Sequence, residues 1–84
     1  MGTATPSTTP NPNAMKFTLD ATWPELFDVS TPEAATTPFQ RAVLGLPGVA
    51  SVFGVNDFVT VTRVPGADWE PIVAGVIAAA SEHL

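Results

Sequence analysis

Thr9-Pro-Asn-Pro-Asn-Ala-Met-Lys-Phe17 is the stretch from which the fold is read. Pro10 and Pro12 fix φ and remove two backbone donors, so the stretch begins extended and stiff. Thr9 and Asn11 each precede a proline and are steered away from helix. The segment then alternates, with Met15, Phe17 and Leu19 on one side and Lys16 and Thr18 on the other. That is the pattern of a half-buried strand over Ala14–Leu19. The stiff lead-in fixes how this strand enters a sheet. It also displays carbonyls and the amides of Asn11 and Asn13 to any partner. It holds no nucleophile and no metal-ligating cluster, which points to docking or bracing.

Toward the N-terminus the chain is rich in Thr, Ser and Pro without apolar periodicity. Residues 1–8 are expected to be a flexible tail and 9–84 a single domain. Toward the C-terminus, residues 20–24 read as a loop and 25–29 as a second strand, with Phe27 and Val29 facing the core. A hairpin between these first two strands is expected. Ser30-Thr-Pro-Glu33 fits a capping box with proline in the first turn, enough for one helical turn. Thr37-Pro38 is a stronger start. Phe39, Ala42, Val43 and Leu46 follow at helical spacing, and Pro47-Gly48 ends the helix. Val49–Val55 and residues 58–64 read as two more strands, joined at Asn56-Asp57, residues that tolerate positive φ. Asp68 opens a last helix whose stripe is Trp69, Ile72, Val73, Val76, Ile77, Ala80 and Leu84. The expected class is α+β: a β-β-α-β-β-α order, a mainly antiparallel four-stranded sheet, and both helices on one face.

Composition excludes several functions. A domain of 84 residues buries only about 60–65% of its unfolded surface, so each large apolar residue matters. Cysteine is absent and His83 is the single histidine. No disulfide and no thiolate is available, and no cofactor is expected. Lys16, Arg41 and Arg63 are the only cations in a chain of net charge −5. Three dispersed cations do not supply the phosphate neutralisation that nucleic-acid binding needs. No apolar run reaches the roughly 18 residues of a membrane span. Residues 1–13 lack the basic and apolar regions of a secretory signal, so a cytoplasmic location is expected. No Ser–His–Asp set, paired helical carboxylates or Gly-rich phosphate loop is legible, so no enzyme activity is expected.

Three motifs carry a resemblance. The Thr9–Phe17 stretch resembles the opening of the N-terminal domain of the Nfu/NifU-like iron–sulfur scaffold proteins. Gly48-Val-Ala-Ser-Val-Phe53 followed by Asp57-Phe-Val-Thr-Val-Thr-Arg63 is similar to that domain's central hairpin, and Asp68-Trp69 to the start of its last helix. The resemblance covers about residues 8–84. In that family a second domain with a Cys-x-x-Cys pair binds the cluster. The resemblance therefore implies a role in iron–sulfur cluster assembly or delivery, by a free-standing form or a fragment. It does not carry over cluster binding.

Seven residues are candidates for contact with a partner. Pro10, Asn11, Pro12 and Asn13 either form a recognition segment or brace the first strand. Lys16 and Arg63 are read on the solvent side of their strands. They are either ordinary solvated residues or, on neighbouring strands, an anion-binding spot. Trp23 is either packed or a partly exposed anchor, while Trp69 is read as core. Thr60 and Thr62 line an exposed sheet face, and Phe58 is a core contact if its side is the packed one. The expected function is a non-catalytic interaction module, a monomer that touches an iron–sulfur assembly or client protein through the open sheet face and the Pro-Asn segment. The alternative is a generic peptide- or small-anion-binding module.

Overall fold

β-branched and aromatic runs form the strands, and the proline- and glycine-bounded apolar stripes form the helices. The computed structural model describes residues 2–84. Its elements are β1 (Ala4–Thr8), β2 (Ala14–Leu19), β3 (Phe27–Val29), a 3-10 turn at Pro32–Ala34, α1 (Pro38–Leu44), β4 (Val49–Val55), β5 (Phe58–Arg63) and α2 (Trp69–His83). The strands make one sheet in the order β1-β2-β5-β4-β3, every neighbouring pair antiparallel. Both helices pack on one face, and the fold is α+β as expected.

The sheet has five strands rather than four. Ala4–Thr8, expected within a tail, pairs with β2 from Ala4 opposite Leu19 to Thr8 opposite Met15. Met1 lies outside the described residues. The stiff Pro-Asn loop turns the chain back on itself, so a polar strand forms without an apolar pattern of its own. Its start is fastened at both sides: Gly2 N–H donates to the Ala80 carbonyl at 3.1 Å, and Thr3 N–H to Asp20 Oδ1 at 3.1 Å.

The expected hairpin between the second and third strands does not form. β2 lies between β1 and β5, so both its edges are taken. The chain crosses past the β4–β5 turn, where Leu19 N–H donates to the Asp57 carbonyl (2.7 Å) and Trp23 N–H to the Asn56 carbonyl (2.8 Å). It then pairs Phe27–Val29 with β4 at the opposite edge. Asn56 takes φ 53° in that turn, the left-handed conformation expected of it.

The faces follow from burial. Phe17, Val52, Val59 and Val61 are completely buried, and pack with Phe39, Val43, Ile72, Val76 and Ala80 of the helices. Phe58, Thr60 and Thr62 alternate with Val59 and Val61 and point away from the helices. Phe58 is thus not a core residue. At α1, Thr37 Oγ1 accepts from Gln40 N–H at 3.2 Å, as a helix cap does. Ser30 does not cap the preceding turn: Thr31 holds that place and its side chain makes no capping bond. Asp68 holds the cap position of α2, also without a side-chain bond. The buried stripe of α2 is Ile72, Val76, Ala79 and Ala80, whereas Ile77 is exposed.

Two glycines mark close approaches. A Cβ on Gly54 would strike the ring of Phe27, its partner across the β3–β4 ladder. A Cβ on Gly75 would come within 2.5 Å of Leu46, which folds onto α2 from the end of α1.

Phe17→Ala is expected to cost about 3–5 kcal/mol, because it empties a buried site. Phe58→Ala is expected to cost only about 1 kcal/mol, chiefly the loss of a cation–π contact at an exposed face. Urea unfolding of the two variants checks the assignment, and a larger loss at Phe58 would invert the faces.

Candidate interaction surfaces

The helix-free face of the sheet is built from alternate residues of all five strands. One row across it reads Ser7, Lys16, Thr60, Phe53 and Asp28, each residue directly opposite the next. The adjacent row places Thr18, Phe58 and Val55 side by side. Phe53, Val55 and Phe58 are half-buried without any helix over them. Lys16 leans diagonally so that Nζ lies 4.4 Å from the Phe58 ring centroid. The face is an apolar centre framed by hydroxyls, with a cation toward one edge and an acid at the other. Phe53, Val55 and Asp28 are not among the sequence candidates: β4 is given no faces there, and the Phe27–Val29 alternation that turns Asp28 outward is not carried on to a site. The same alternation in Val-Ala-Ser-Val-Phe-Gly-Val points to Phe53 and Val55 once Val52 is put inside.

The Pro-Asn segment closes the β1–β2 hairpin and is held from within and from across the sheet. Thr9 Oγ1 donates to the Ala14 carbonyl at 2.9 Å, and Asn11 Oδ1 accepts from Asn13 N–H at 2.9 Å. Arg63 Nε donates to Asn13 Oδ1 at 3.2 Å, and Arg63 Nη1 to the Ala67 carbonyl at 2.6 Å. Trp69 Nε1 donates to the Pro12 carbonyl at 3.1 Å, and the Arg63 guanidinium sits 5.3 Å from the Trp69 ring. The bracing reading of the segment therefore has specific partners. Pro10, Asn11 and Pro12 still face solvent.

Lys16 and Arg63 do stand on neighbouring strands but do not come together. Arg63 shares the parity of Val59 and Val61 and turns to the helix side, toward Trp69. Lys16 stands directly opposite Thr60, which points away from the helices, and so lies on the open face. The expectation that both lie on the solvent side is corrected for Arg63, since the alternation of β5 puts it on the same side as the core valines.

Trp23 is half-buried and packed. Its ring meets Phe27 edge-on at 4.9 Å and Phe39 at 5.7 Å, and Nε1 donates to the Phe58 carbonyl at 3.2 Å. Among the described residues no three His, Cys, Asp or Glu come together. Among the same residues no helix is long and apolar enough to cross a membrane.

Arg63→Ala removes two side-chain hydrogen bonds and the contact with Trp69. It is expected to cost about 1–3 kcal/mol and to shift the tryptophan emission. Lys16→Ala is expected to cost less than about 1 kcal/mol. Denaturation followed by fluorescence measures both, and equal losses would deny Arg63 its bracing role.

Comparison with known proteins places this geometry in a family. The model of "Scaffold protein Nfu/NifU N terminal" matches residues 5–84. Conserved virulence factor C of Staphylococcus aureus is 34% identical over 76 residues, which is 88% of this chain and 20% of that protein. NifU-like protein 5, mitochondrial, of Arabidopsis thaliana is 30% identical over 73 residues, 83% of this chain and 26% of that protein. The chain thus spans about a fifth to a quarter of the length of these curated relatives. The crystal structure of protein SAV1430 from Staphylococcus aureus superposes with a TM-score of 0.85 at 31% identity, covering 94% of this chain and 98% of that one. A Staphylococcus epidermidis protein solved by NMR shares the fold, with a TM-score of 0.67 at 22% identity and 98% coverage of each chain. By the family match and these relatives together, the chain belongs to the Nfu/NifU N-terminal scaffold family.

Proposed function

We propose that this domain is a non-catalytic docking module of iron–sulfur cluster assembly or delivery, which touches a carrier or client protein and does not ligate the cluster. The family supplies the link to cluster biology. The absence of cysteine supports the non-ligating part, since soft thiolate donors are the usual cluster ligands. The observation that carries the docking part is the open sheet face. Phe53, Val55 and Phe58 form an apolar centre with Lys16, Asp28 and threonines around it, the layout of an interface core and rim. The exposed Pro10, Asn11 and Pro12 lie at the end of the same sheet, beside Arg63, and extend the surface available to a partner. The generic peptide-binding alternative uses the same face without the link to iron. A two-cation anion spot gains no support, because Lys16 and Arg63 point to opposite sides.

Titration of the isotopically labelled domain with the isolated Cys-x-x-Cys domain of a family member tests the reading. The resonances of Lys16, Phe53, Val55 and Phe58 are expected to move. Lys16→Glu is expected to leave the fold intact and change affinity by up to about five-fold, the range of one exposed ion pair. Silence across the whole face, with either the empty or the cluster-loaded domain, would sink the docking claim. Stoichiometric iron retained by this chain after chelation would sink the non-ligating one.

A further inference from the structure

The geometry points to a second binding site, on the helix side of the sheet, that takes a leucine-like side chain from a neutral-to-basic extended segment of a protein partner. It lies apart from the open face and does not depend on the reading of that face. The site is a cleft of about 330 Å³ between the segment before β3 and the start of α1. Trp23, Pro24, Leu26 and Phe27 make its apolar walls, and Thr36 and Gln40 contribute its polar side. Leu26 stands at the rim with 62% of its surface exposed.

Gln40 decides the chemistry. It is only 2% exposed. Its Oε1 accepts from Thr36 N–H at 2.9 Å and from Thr36 Oγ1 at 3.3 Å, which fixes the orientation of the amide. Its Nε2 donates to no described residue, yet among the described residues no side-chain nitrogen or oxygen is both sealed from solvent and unpaired. The amide nitrogen therefore keeps some exposure, and the cleft that Gln40 lines is the opening beside it. An apolar cleft with one unsatisfied donor suits an apolar side chain whose adjoining backbone carbonyl accepts that bond. No cation lines the cleft, and Glu25 does. With a net charge of −5 besides, acidic ligands are disfavoured, and a lysine or arginine next to the inserted residue is favoured. The open rim, with exposed Pro24, Glu25 and Leu26, fits a chain that continues past the cleft rather than an enclosed small molecule.

The blocked peptide acetyl-Thr-Val-Leu-Lys-Thr-amide is the probe, and the same peptide with aspartate in place of leucine is the control. Titrated into the labelled full chain, the leucine peptide is expected to move the Trp23 ring, the Leu26 methyls and the Gln40 side-chain amide, and the control is not. Gln40→Glu keeps both acceptor contacts to Thr36 and removes the donor, and it is expected to weaken binding at least about five-fold. Leu26→Asp alters only an exposed rim residue, so it keeps the test open should Gln40→Glu unfold; the same loss is expected. Equal shifts with the two peptides, no shifts at these residues, or no loss with Leu26→Asp would overturn the site. Shifts confined to Phe53 and Phe58 would overturn it too, while leaving the open-face reading standing.

Discussion

The pairing of β2 with β5 is the constraint on which everything else rests. It joins Ala14–Thr18 to Phe58–Thr62 across about half the chain. Without it the molecule would be two separate hairpins, β1–β2 and β4–β5, neither able to bury an apolar face alone. Closing so long a loop costs conformational entropy before any contact compensates for it. Both ends of the pairing are clipped. At one end Arg63 N–H donates to the Asn13 carbonyl at 2.8 Å, and the Arg63 side chain holds Asn13 and the Ala67 carbonyl. At the other, Leu19 and Trp23 donate to the Asp57 and Asn56 carbonyls of the β4–β5 turn. Phe17, Val59 and Val61, which the pairing brings side by side, are the floor on which both helices sit.

That clip explains the Pro-Asn segment better than recognition alone does. Two prolines in a hairpin loop leave it short of donors but rich in exposed carbonyls. Trp69 uses one of those carbonyls and Arg63 another, so the loop, the end of β5 and the start of α2 form one junction. A partner that reads Pro10–Pro12 would meet a surface already ordered by these bonds, with little loop entropy left to lose on binding.

How much of this the chain declares depends on whether the signal is local. The five apolar-patterned or β-branched elements with clear stops were legible, as was Thr37 as a cap, because neighbours in sequence create those features. β1 was not, since Thr and Ser carry no alternation and the strand exists only through its partner and its tethers at Gly2 and Thr3. The partner of β3 was not, because a chain crossing from one sheet edge to the other leaves no local mark. The sequence leaves the side of Phe58 conditional, and its shared parity with Thr60 and Thr62 puts it on the helix-free face. Burial in a strand is set by alternation and helix cover, not by the apolarity of one residue. Of the candidate site residues, Lys16 and the Pro-Asn segment are legible as solvent-facing strand and loop features. Phe53 is legible only through the β4 alternation, and Leu26 and Gln40 are not legible, because each matters through what long-range folding sets beside it.

The edges of the sheet then narrow how partners can engage. β1 carries Pro6, which brings no N–H, and β3 is only three residues long. Both are the usual ways in which a protein blunts an edge against strand addition. A partner therefore finds little ladder to extend at either side. What the two proposed sites offer instead is side-chain surface: the Phe53, Val55 and Phe58 face on one side of the sheet and the Trp23–Gln40 cleft on the other. Specificity on such surfaces comes from the shape and charge of a few inserted groups rather than from backbone pairing, which accepts almost any sequence. Under the proposed docking role, blunted edges of this kind would leave the choice of partner to the residues that partner presents.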